Sequence, residues 1–64
     1  MKRIDLIRTI RTAAANAGVD FYVLRERGPH TVWAYGRKQV MIPKHREINE
    51  LTARGILRFL GLGG

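Results

Sequence analysis

Two side chains in this sequence ordinarily titrate near neutral pH, His30 and His45. An imidazole takes and returns a proton at pH 7, so each is a candidate general acid or base. Cations crowd both. Arg25 and Arg27 precede His30, Lys44 and Arg46 flank His45, and Arg54 and Arg58 follow at a spacing that puts them on one side of a helix. A base beside arginines suits a reaction in which negative charge grows on an anionic reactant. There is no cysteine, which excludes thiol nucleophiles, thiolate metal sites and disulfide scaffolds. The two histidines lie far apart in sequence and have few carboxylate neighbours, so no metal or other cofactor is expected.

The whole chain carries 12 Lys and Arg against 5 Asp and Glu, a net charge of +7. Such an excess calls for an anionic partner: nucleic acid, an acidic protein or a membrane surface. At 64 residues the chain makes one small domain, below the roughly 70–80 residues where a single core is comfortably stable. Hydrophobic residues make up 45%, enough for a core and against general disorder. No deep active site fits, so any chemistry happens at the surface. No apolar run approaches the roughly 18 residues of a membrane span, and no apolar stretch follows Met1-Lys2-Arg3 as in a secretory signal. The lack of cysteine suits a reducing compartment, and a cytoplasmic location is expected.

The elements that must hold these groups follow from periodicity. Ile4, Leu6, Ile7, Ile10, Ala13, Ala14 and Ala17 recur at helical spacing, and Gly18 provides a stop. From Phe21 the pattern changes. Segments 21–27, 30–35 and 38–42 are rich in β-branched and aromatic residues and are separated by Gly28-Pro29 and Gly36-Arg37. Pro29 excludes a type I′ turn, while Gly28 first and Pro29 second fit type II′. Pro43 ends the third strand. Residues 44–51 form a polar connection, with Thr52 or Asn49 as N-cap. Ala53, Ile56, Leu57 and Leu60 form an apolar helical stripe, closed by Gly61, and Gly55 inside it suggests a close contact with the sheet. The expected fold is α+β, ordered α-β-β-β-α, a three-stranded antiparallel sheet with two helices on one face.

Centring the hairpins on the two glycine turns pairs Arg27 with His30, Arg25 with Val32, Leu24 with Trp33, and Trp33 with Val40. Paired residues share a face. Tyr22, Leu24, Trp33, Tyr35, Val40 and Ile42 then lie under the helices. Phe21, Val23, Arg25, Arg27, His30, Val32, Ala34, Gln39 and Met41 lie on the other face, exposing apolar area around Val23, Val32, Ala34 and Met41. A bulge of one residue would exchange the faces locally. Trp33 and Tyr35 are read as core rather than as platforms for bases, and Glu47 and Glu50 as capping or surface charges.

Three segments together resemble the HicA family, the small mRNA interferase toxins of bacterial toxin–antitoxin pairs: Phe21-x-x-Leu24-Arg25-x-x-Gly28-x-His30, Ile42-Pro43-Lys44-His45-Arg46-Glu47-Ile48, and Thr52-Ala53-Arg54-Gly55-Ile56-Leu57-Arg58 with Gly61-Leu62 after it. The lysine- and arginine-led start of the first helix also fits, so the resemblance spans about residues 2–62 of a single domain covering 1–64. It implies a fold like that of a double-stranded-RNA-binding domain, cleavage of mRNA, inhibition by a HicB-type antitoxin, and His30 as the catalytic histidine. Arg27 and Pro29 stand where the family often has a glycine and a small or polar residue.

RNA brings its own nucleophile, the 2′-OH. His30 acting as general base, with Arg25 and Arg27 beside the phosphate, supplies what attack on the adjacent phosphorus needs. Lys44, His45, Arg46, Arg54 and Arg58 are candidate RNA contacts. His45 has three readings: general acid for the leaving oxygen, phosphate contact, or a group ordering the loop before the second helix, the last being favoured. Two other functions fit the same charge: a non-catalytic RNA-binding module and a protein-interaction module for an acidic partner.

Overall fold

Helix α1 (Arg3–Ala17) has no side-chain cap at Lys2. Its first amide is capped from afar, because Arg3 N–H donates to the carbonyl of Arg46 at 2.9 Å. Its far end closes on Gly18, whose φ of 70° is left-handed. There Val19 N–H reaches the carbonyl of Ala14 and Gly18 N–H that of Ala15. Helix α2 (Glu50–Phe59) ends the same way, with Leu62 N–H on the carbonyl of Leu57 and Gly61 N–H on that of Arg58. In both Schellman closures the next residue, Val19 or Leu62, packs back on the core. The computed structural model describes residues 1–63 and orders the chain α1, β1 (Phe21–Arg27), β2 (His30–Tyr35), β3 (Lys38–Pro43), α2.

The strands form one antiparallel sheet in the order β1-β2-β3. Both connections are two-residue turns whose first glycine alone has positive φ, 56° at Gly28 and 57° at Gly36, as type II′ requires. Leu6, Ile10 and Ala14 of α1, Ala53, Ile56 and Leu60 around α2, and Trp33, Tyr35, Val40 and Ile42 of the sheet make one core. Both helices therefore cover one face and leave the other open.

The structure corrects several expectations. β1 carries a bulge between Val23 and Arg25, so Trp33 pairs with Val23 and not with Leu24. Upstream of the bulge the faces exchange: Phe21 and Val23 join the helix side, where Phe21 stacks on Trp33 at 4.5 Å, while Tyr22 turns to the open side and is 53% exposed. Leu24 is the extra residue and is partly exposed. Val32 and Ala34 are only 2% and 4% exposed, because they sit on the central strand between the longer side chains of both neighbours. Ile4 leaves the expected α1 stripe and is 62% exposed. Asn49, not Thr52, caps α2, its Oδ1 accepting from Leu51 N–H at 2.8 Å. The connection before α2 is not wholly polar, since Ile48 is buried in the core. Gly55 makes no close contact, and a Cβ there would meet open space. The Trp33 indole N–H is buried without a partner among the described residues.

Candidate nucleic-acid interface

The Gly28-Pro29 end of the sheet gathers most of the candidate residues, on two sides. On the open side His30 begins β2, half-buried, opposite Arg27 on β1 and Pro43 on β3. Arg25 pairs with Val32, the next position on that face. The side chains of His30, Arg25 and Arg27 have no hydrogen-bond or ion-pair partner among the described residues. Next to them lies an apolar field, with Tyr22 beside Ala34 and Met41 beside Val32, Met41 being 51% exposed.

On the helix side the cations are held. Arg3, at the start of α1, turns inward: its Nε donates to the Pro43 carbonyl at 2.9 Å and its Nη2 to Thr31 Oγ1 at 3.3 Å. The buried Thr31 hydroxyl donates in turn to Glu26 Oε1 at 2.9 Å. Lys44 Nζ reaches the same oxygen at 3.1 Å. The hydrogen bonds from Lys44 first, then from Thr31, hold the Glu26 carboxyl below the ordinary carboxylate range. Beside this network a cleft of about 570 Å³ opens between Lys2, Arg3, Lys44 and Arg46, with Ile4 and Ile7 as its apolar part. Its two walls are joined by backbone, Arg3 N–H to Arg46 O and Ile48 N–H to Met1 O at 2.7 Å.

The two sides meet at Pro43. It is the cross-strand partner of His30, and its carbonyl carries Arg3. Lys44 follows it and donates its own N–H to Pro29 O at 2.9 Å. Arg25, Arg27, His30, Lys44 and Arg46 thus belong to one end of the molecule. His45 lies there too, exposed between Lys44 and Arg46. Its side chain makes no hydrogen bond among the described residues, so the expected loop-ordering role falls to the Met1–Arg3 backbone instead. Arg54 and Arg58 are not brought to this end. They line a separate, smaller groove of about 190 Å³ with Leu57 and Gly63, and α2 finishes near Lys38, at the other end of the sheet, where Lys38 Nζ donates to Phe59 O.

Other cations are spent within the fold. Arg8 pairs with Asp5, and Arg11 lies over the Phe21 and Trp33 rings at 5.3 and 5.9 Å. The pocket that Arg3 builds has no counterpart among the candidate residues of the sequence pattern. The signal was long-range, a bridge between residues 2 and 47, and no local pattern announces it. No group of three or more His, Asp or Glu suited to a metal occurs among the described residues, and no helix there is long and apolar enough to cross a membrane. Comparisons with family models, with curated proteins and with solved structures find no match for this chain.

Proposed function

We propose that this chain is an endoribonuclease that needs no metal, the mRNA-cleaving toxin of a type II toxin–antitoxin pair, with His30 as general base. The observation that carries this reading is the placing of one histidine, its side chain unpartnered among the described residues, on an open sheet face, across from Arg27 and one face position from Arg25. His30 removes the 2′-OH proton while that oxygen forms a bond to the adjacent phosphorus. The bond from phosphorus to the 5′-oxygen breaks, and the leaving oxygen is protonated by water. Arg25 and Arg27 stabilise the charge gathering on the non-bridging oxygens. The products are a 2′,3′-cyclic phosphate and a 5′-hydroxyl.

The reading is tested by incubating the purified protein with RNA in chelator and analysing the ends. Cyclic phosphate ends, and no cleavage where the scissile nucleotide lacks its 2′-OH, are expected. Ends of the 5′-phosphate type would overturn the mechanism. The inhibitor of such a toxin is an acidic HicB-type antitoxin, and the face bearing His30 and Met41 offers it cations beside exposed apolar area.

A second reading has its own support. The cleft holds Arg3 and Lys44 in prearranged positions on the side of the sheet away from His30, which is what a non-catalytic RNA-binding module needs. Binding without cleavage by the purified protein would select it.

A further inference from the structure

We propose that the cleft between Lys2, Arg3, Lys44 and Arg46 is a second phosphate subsite for single-stranded RNA, occupied by the nucleotide that flanks the one at His30. This deepens the reading above and rests on it.

The argument begins with what is already held in place. The Arg3 guanidinium is fixed by the Pro43 carbonyl and Thr31 Oγ1, and Lys44 by Glu26. Side chains ordered beforehand lose little freedom when an anion arrives, so more of the contact energy appears as affinity. Glu26 neutralises one of the cleft's four cations, leaving Lys2 and Arg46 without side-chain partners among the described residues and Arg3 bonded only to neutral groups. Net positive charge in a concave site with room for a nucleotide selects phosphate. Ile4 and Ile7 offer the apolar surface on which a base can lie.

The path follows from Pro43. His30 and the cleft lie on opposite sides of the sheet, yet Arg3 bonds the very residue that pairs with His30. A strand with one phosphate at His30 reaches the cleft only by turning around the sheet's end over Pro43 and Lys44. A flexible single strand with unstacked bases can make that turn, whereas a duplex is stiff at this length. The substrate is therefore single-stranded at the cleavage point, even though the fold is of a kind associated with duplex RNA.

The test uses the full chain carrying His30→Ala, so that RNA stays intact, and a fluorescent single-stranded hexaribonucleotide titrated over a range of salt. Lys2→Gln and Arg46→Gln should each weaken binding about 3–10-fold at low salt and flatten the log–log salt slope by about 0.7, as the loss of one phosphate contact does. Arg37→Gln, an exposed charge in the turn at the opposite end, is the charge-matched control and should change affinity less than about 2-fold. The same sequence annealed to its complement should bind at least about 10-fold more weakly than the single strand.

Parental binding by both cleft variants would overturn the subsite and leave the His30 reading standing. Equal affinity for the duplex would overturn the turn around the sheet's end. A polyglutamate peptide held as tightly as RNA, with the same loss in both variants, would assign the cleft to an acidic protein. A parent that binds no RNA at any salt would overturn the nuclease reading and the subsite together.

Discussion

At the Gly28-Pro29 end of the sheet the same residue types are treated in two ways. On the helix side Arg3 and Lys44 are tied down by Pro43, Thr31 and Glu26, while on the open side the side chains of Arg25, Arg27 and His30 have no hydrogen-bond or ion-pair partner among the described residues. Under the proposed function the difference would serve two tasks. A cation that only has to meet a phosphate gains from being held in advance. A base that must accept a proton gains from keeping its nitrogen free, and the arginines beside it can follow a charge that appears only in the transition state. A chain of 64 residues places both behaviours a few residues apart, because neighbouring positions on a strand face opposite sides.

The largest way to break this contrast is at the open side. His30→Ala is expected to lower the cleavage rate about 10²–10⁴-fold, the usual contribution of a positioned acid or base, while RNA affinity stays within about 3-fold. Rates and titrations on the same preparation separate the two, and equal loss of both would make His30 a binding residue.

Next in size is the pivot of the held side. Thr31→Val removes the hydroxyl that links Glu26 to Arg3 and should cost about 1–2 kcal/mol in urea unfolding, since two bonds to charged but partly exposed groups are lost. Cleavage of a dinucleotide should change little, as that substrate needs only the open side.

A smaller effect, of opposite sign, sharpens the comparison by touching neither side. Gly55→Ala should stabilise the fold by about 0.5–1 kcal/mol, because the position is helical and a Cβ there meets open space. RNA affinity and cleavage should both be unchanged.

The smallest effect is read against pH. The folded protein holds the Glu26 carboxyl below its ordinary value of 4.5. The unfolded chain therefore binds its proton first as pH falls, and the stability that Glu26 contributes is complete above that value and is lost as pH drops through the lower folded one. Glu26→Gln should flatten the acid limb of a urea-midpoint series below pH about 4.5 and leave the neutral region nearly level.

Much of the fold was legible in the sequence. Gly18, Gly28, Gly36 and Gly61 mark turns or helix ends that need positive φ, and they divided the chain correctly. The β2–β3 register and the place of His30 at the start of β2 followed from those turns. The bulge in β1 did not. Phe21-Tyr22-Val23-Leu24 is apolar at four successive positions, so alternation gives no preference between registers, and packing decides by stacking Phe21 on Trp33. The burial of Val32 and Ala34 was equally hidden, since it comes from their central position rather than from their own pattern. The candidate site was half legible. Arg25, Arg27 and His30 are neighbours by local pairing, whereas Arg3, Lys44 and Glu26 meet only through tertiary structure.

The backbone bonds that join residues 1–3 to residues 46–48 also set an order of assembly. α1 and the two hairpins are local and can form early, but the wall of the cleft closes a loop of more than forty residues and must wait for the last third of the chain. A nascent chain released early would carry His30 on a hairpin without the cleft formed by residues 1–3 and 46–48. In pulse-labelled refolding the Arg3 amide should gain protection after the amides of the β2–β3 ladder, and the delay between them is the interval in which the sheet exists without its cleft.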